Sequence, residues 1–142
     1  MLDKNNITTM AKREILFRGW NKKNKKWLYG YYCVNRGEHF IAPDEFVNPL
    51  ASYEDYVVDD ETVGQYTGLK DAKGVKIFEG DIIIEVDGFR HVIQYKKNAA
   101  KFVAILEGIS DVYCGIDQQW MDKYKMVIIG NVHEDKKLIN TD

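Results

Sequence analysis

Thr62-Val63-Gly64-Gln65-Tyr66-Thr67-Gly68-Leu69-Lys70-Asp71 runs directly into Ala72-Lys73-Gly74-Val75-Lys76-Ile77-Phe78-Glu79-Gly80-Asp81-Ile82-Ile83-Ile84, and this stretch decides the fold class. Apolar residues broken by polar, Gly-containing segments describe two strands joined by a turn. Glu79-Gly80-Asp81 is a second tight turn that launches a buried strand at Ile82. Gly64, Gly68, Gly74, Glu79, Gly80 and Asp81 are read as turn residues. The stretch carries a fold signal and almost no chemical one.

Strand patterns extend from it in both directions. Upstream, residues 14–20 place Ile15 and Phe17 on one face and Leu16, Arg18 and Trp20 on the other. Asn21, Lys22, Lys23, Asn24, Lys25 and Lys26 form a hairpin tip by composition, and residues 27–34 return with Trp27, Tyr29 and Tyr31 at alternate positions. Trp20 and Trp27 are placed to stack across that hairpin. A turn at residues 35–38 leads to a short strand at 39–42, and Pro43 and Pro49 bracket an irregular connection. Downstream, strands are expected at 82–86, 89–95, 101–106, 112–115 and 126–132, with a turn at Asp87-Gly88. Residues 117–123 are the one helical turn, with Asp117 as N-cap.

Short strands, close turns and hardly any helix indicate an all-β or mostly β protein. We expect a disordered N-terminal extension over residues 1–12, an N-terminal β segment built on a hairpin over 13–66, a small five-stranded barrel over 67–134 and a polar tail over 135–142. Barrel closure would remove the exposed edges that many short strands otherwise leave.

The 142 residues, 45% hydrophobic and 13% aromatic, suffice for a sizeable core without staples. Cys33 and Cys114 lack CxxC spacing and read as reduced, half-buried thiols. The longest apolar runs fall far short of the roughly 20 residues that span a bilayer, and the polar N-terminus lacks the apolar core of a signal peptide. A cytoplasmic protein without membrane contact is expected. Asn6-Ile7-Thr8 matches a glycosylation pattern, but only a secreted chain would use it.

Net charge is only −2, yet charge is segregated. Residues 12–26 hold seven basic groups and one acid, whereas residues 37–69 hold eight acids and no Lys or Arg. The two blocks can complement each other within one chain or between chains. Basic residues beside aromatics are also what a single-stranded nucleic-acid platform needs, so Trp20, Lys22, Lys23, Lys25, Lys26 and Trp27 form a candidate nucleic-acid site.

Catalytic signals are sparse. No glycine-rich phosphate cradle occurs, and His39, His91 and His133 lie in separate segments without metal-ligand spacing. The acids between residues 44 and 61 lack the loop pattern that fixes calcium ligands. Glu79 and Asp81 would share a face at i and i+2 and can in principle divide acid and base roles. Acids flanking a turn glycine more commonly bond the turn's own N–H groups. No cofactor, metal or catalytic residue is assigned.

With those residues in view, the chain resembles the YopX family of bacteriophage and prophage proteins from low-GC Gram-positive bacteria. Arg13-Glu14-Ile15-Leu16-Phe17-Arg18-Gly19-Trp20 is similar to that family's R-E-I-x-F-R-x-W opening. Residues 62–71 and Ile77-Phe78-Glu79-Gly80-Asp81-Ile82 resemble its T-V-G-Q-Y-T-G-L-K-D and E-G-D-I signatures, and Ile129-Gly130-Asn131-Val132-His133-Glu134 resembles its I-G-N-x-x-E. The likeness covers residues 13–139. Gly19, His133 and Asp135-Lys136-Lys137 depart from its usual residues. The resemblance implies a mostly β structure with an SH3-like C-terminal barrel, and it brings no activity with it. A non-enzymatic accessory protein that binds a protein partner or itself is expected, with a nucleic-acid-binding module as the alternative.

Overall fold

The computed structural model describes residues 11–43, 52–109 and 112–139. The N-terminal extension up to residue 10 with Asn6-Ile7-Thr8, the acids Asp44 and Glu45 with Pro49, and the last three residues of the tail lie outside the described residues.

The described residues form two antiparallel sheets of five strands each. In the first, β1 (Phe17–Asn21) pairs with β2 (Lys26–Asn35), placing Trp20 opposite Trp27. β3 (Glu38–Ala42) adds to the outer side of β2, and β4 (Asp59–Lys70) adds to the other side of β1. β5 (Lys76–Phe78) pairs back on β4, giving the order β3-β2-β1-β4-β5. The second sheet contains β6 (Asp81–Ile84), β7 (Arg90–Lys96), β8 (Lys101–Leu106), β9 (Tyr113–Gly115) and β10 (Val127–Asn131), in the order β10-β6-β7-β8-β9. The one α-helix among the described residues, α1 (Gln118–Lys123), starts where the Asp117 carboxylate accepts the Trp120 N–H at 2.7 Å.

The chain is all-β as expected, but no closed barrel forms among the described residues. β9 and β10 stand at the two ends of the second sheet. The two strands expected about the central turn are present as the β4–β5 pair, which places Lys76–Phe78 in the first sheet although it falls within residues 67–134. Gly64 and Gly68 also differ from expectation, since both lie inside β4 and not in turns. At Gly64 a Cβ would stand 2.6 Å from the Glu79 carbonyl oxygen, so that position needs glycine for close backbone approach. Gly68 lies where the β4–β5 register shifts. Cys33 is exposed rather than half-buried, whereas Cys114 is partly buried; both are free thiols.

The sheets share apolar packing. Ile77 of β5 clusters with Ile83, Ile93 and Ala104 of the second sheet and with Met121 and Met126 around α1, all fully buried. Each such Ile or Met contributes about 1.5–3 kcal/mol by leaving water. The β4–β5 turn is tied to β10 by Asp71, which is buried. One of its carboxylate oxygens accepts the Lys73 and Val75 N–H groups at 2.9 Å, and the other accepts Ile128 N–H at 3.1 Å. No helix among the described residues is long and apolar enough to cross a membrane.

Candidate functional site

The line where the sheets meet is built on charge. Arg18 sits in β1 between Phe17 and Gly19, and Asp81 opens β6. Their side chains, 7% and 3% exposed, form an ion pair at 2.8 Å. The guanidinium also donates to the Glu79 carbonyl at 3.3 Å and lies 4.8 Å from the Trp27 ring centre and 5.1 Å from that of Phe78. The second Asp81 oxygen accepts the Phe78 N–H at 2.7 Å across the turn. Burial pushes the Asp81 carboxyl above its ordinary value, against the pull of Arg18 and the Phe78 N–H. Arg18 Nε is buried without a hydrogen-bond partner. Gly80, between the two acids, holds a left-handed φ of +92° that β-carbon-bearing residues rarely adopt. The Trp27 indole N–H donates to Glu134, and His133 stands 6.0 Å from the same ring, so the segment after β10 closes over the junction.

Glu79 turns the other way. It is half-buried in the wall of a cleft of about 950 Å³ between the sheets. Gln65 and Thr67 of β4 line that wall, with Tyr32 of β2 and Tyr95 and Phe102 of the second sheet, while Arg13 and Lys101 supply positive charge. Burial raises the Glu79 carboxyl above its ordinary value, opposed by the Gln65 backbone N–H and by Arg18. The two carboxylates therefore have separate surroundings: Asp81 is engaged at both oxygens inside the junction, and Glu79 faces the cleft. A cleft of this size with convergent polar groups and a perturbed carboxyl is where a ligand would bind.

The basic tip of the first hairpin lies elsewhere. Trp20 and Trp27 meet edge to face at 5.5 Å and are partly buried. Lys22 pairs with Asp59 at 3.5 Å, and Lys23 pairs with Asp55 at 3.0 Å and Glu54 at 3.9 Å. Asn21 fixes the tip by donating to the Glu54 and Val57 carbonyls at 3.0 and 2.8 Å while accepting Asn24 N–H at 2.7 Å. Hydrogen bonds from Asn24 and Lys23 hold the Asp55 carboxyl well below the usual carboxylate range. The basic and acidic blocks thus meet within one chain. Lys25 and Lys26 are exposed and form no ion pair among the described residues.

The histidines remain apart. His91 is buried, with Nε2 3.5 Å from Glu85 and Nδ1 unpaired. Burial holds it below its ordinary value, against Glu85. His39 accepts or donates to the Tyr32 hydroxyl at 2.5 Å. No cluster of three or more metal-ligating residues exists among the described residues. Sequence patterning places the cleft residues Tyr32, Tyr95, Phe102 and Lys101 only within strands, because their convergence depends on sheet pairing. The one available signal was Arg18, a charged side chain inside an apolar strand that demands a buried partner.

The fold and junction define an all-β, two-sheet protein whose halves are joined by a buried ion pair beside an open cleft. The chain belongs to the YopX family, whose model, described as YopX protein, matches residues 16–140. Among solved structures it is similar to protein EF1440 from Enterococcus faecalis, at 23% identity and a TM-score of 0.53, over 91% of this chain and 100% of that one. At that identity the likeness speaks for the fold alone. No curated protein matches.

Proposed function

We propose that the protein is a non-enzymatic phage or prophage accessory protein that holds a protein partner, or a second copy of itself, in the cleft between its sheets. The cleft itself carries this reading: about 950 Å³ of polar and aromatic wall around a half-buried Glu79. A binding role also fits Asp81, whose two oxygens are engaged by Arg18 and Phe78, so that it does not share acid and base chemistry with Glu79. We read the second sheet as an opened relative of an SH3-like barrel, supported by its short antiparallel strands and tight turns. A cytoplasmic setting in the host is consistent with the two free cysteines.

Gly115 provides the test. It lines the cleft, has no positive φ, and nothing lies within 4 Å of where its Cβ would stand. Gly115→Trp should therefore fold and fill the cleft. Affinity capture from phage-bearing host cells, with size measurement of the purified chain, should recover a partner or a dimer with the wild type and lose it with Gly115→Trp. A wild type that is monomeric and captures nothing above background, or a Gly115→Trp variant that captures equally well, overturns the reading.

A further inference from the structure

We propose that the tip of the β7–β8 hairpin, with β9 beside it, binds single-stranded nucleic acid, at a place separate from the Trp-flanked tip of β1 and β2. The register puts Lys96 directly opposite Lys101 and Tyr95 directly opposite Phe102. Like charges facing each other across a strand pair destabilise it, and a polyanion laid across the pair would relieve that repulsion. Among the described residues, neither lysine, nor Lys97 in the turn between them, forms an ion pair with an acid. Instead the Lys96 and Lys101 ammonium groups converge on one ring, 4.9 and 5.9 Å from the centre of Tyr113. Lys22 and Lys23 differ, since each already has an acidic neighbour.

Flat aromatic surface lies next to these charges. Tyr95 is 44% exposed and Tyr113 39%, and the Tyr95 and Phe102 rings meet edge to face at 5.2 Å. Ammonium groups neutralise phosphates and exposed ring faces stack on unpaired bases, which is how single strands are held without sequence preference. An acidic peptide would use the lysines and leave the rings idle. A duplex keeps its bases stacked on one another and would do the same. With a net charge of −2 the molecule as a whole does not attract a polyanion, so binding depends on local basic patches such as this one.

Fluorescence anisotropy with the full chain and labelled oligothymidine and oligouridine tests this, with a matched duplex and polyglutamate as competitors. Three phosphate contacts predict a slope of log affinity on log salt near about −2 between about 20 and about 200 mM KCl. Lys96→Ala with Lys101→Ala should reduce that slope by about 1.4, while the paired Lys→Arg changes preserve it. Tyr95→Ala should weaken binding about 5- to 150-fold, and Lys25→Ala with Lys26→Ala should leave it unchanged. Comparison of the two oligomers separates DNA from RNA as the ligand. Absence of binding at the lowest salt overturns the proposal, as does affinity indifferent to the Lys96, Lys101 and Tyr95 changes. So does polyglutamate or duplex displacing the strand as well as free single strand does, which would identify a general anion or acidic-protein surface.

Discussion

Asp81→Asn removes one charge from the junction while keeping the side chain's volume and one acceptor for the Phe78 N–H, now 2.7 Å away. Breaking a buried ion pair by deleting one partner costs about 3–5 kcal/mol, because the remaining charge is stranded. Here Arg18 would keep the Glu79 carbonyl at 3.3 Å and the faces of Trp27 and Phe78, which soften the loss. We expect about 2–4 kcal/mol for Asp81→Asn and about 1–3 kcal/mol more for Asp81→Ala, which also orphans the Phe78 N–H. The upward push of burial on Asp81 indicates that desolvation offsets much of the pair's attraction. Arg18→Met combined with Asp81→Asn should consequently recover stability, with a coupling of about 1–3 kcal/mol. Urea unfolding followed by tryptophan fluorescence measures all four states, since Trp27 stands 4.8 Å from the guanidinium. A loss below about 1 kcal/mol for Asp81→Asn, or a double variant equal to the sum of the singles, would refute the reasoning.

Two titrations extend the test to the cleft and to the second sheet. Glu79 has a raised folded pKa, so its contribution is fully present below the unfolded value and is lost as pH rises through the folded one. Glu79→Gln should thus raise thermal stability at about pH 7 by less than about 1 kcal/mol, since the half-exposed carboxyl keeps part of its hydration, and the gain should vanish below about pH 4. Loss of cleft binding in the same variant would show that the cost serves a ligand. His91 has a lowered folded pKa, so its stability is present above about pH 6.5 and declines as pH falls below it, by at most about 1.4 kcal/mol per pH unit. Urea midpoints between about pH 7.5 and about pH 5.5 should flatten in His91→Gln, with a residual slope from His133, which burial and Arg18 also hold low. An unchanged slope would mean that His91 reaches solvent when protonated.

Local features were legible because they obey short-range rules. Alternation located the strands, and Asp117 announced α1 because an N-cap needs only a side chain three residues from its target N–H. Long-range partners were not legible. The β4–β5 pair showed as two strands about a turn, but nothing local to it says that it joins β1 and β2 rather than helping to close the second sheet. Gly64 read as a turn because turns are the common use of glycine, whereas its reason lies across space in the Glu79 carbonyl. The charge blocks were plain in the sequence, but their meeting within one chain depends on Asn21 fastening the tip to the Glu54–Val57 backbone. The cleft is assembled from both sheets, and its only trace in the sequence was Arg18, a charge inside an apolar strand that pointed to the junction beside it and not to the cleft wall.

The segments that carry the family resemblance converge on one place. Arg18 from the first, Glu79 and Asp81 from the middle and Glu134 from the last either hold the sheets together directly or close over Trp27 beside them. Removing the Arg18, Asp81 or Glu134 side chain would change how the two sheets are fastened before it changed what they touch, whereas Glu79 fastens through its backbone carbonyl and turns its carboxylate to the cleft. Tyr95, Phe102, Lys96 and Lys101 lie outside every one of those segments and are exposed or partly so. A chain can be recognised by its fasteners while its ligand is chosen by other side chains, because a fold fixes positions and the site's chemistry fixes function. For this protein the two sets are separable by mutation: Asp81→Asn should move stability, and Tyr95→Ala should move binding at a stability cost of no more than about 1 kcal/mol from its lost Phe102 contact.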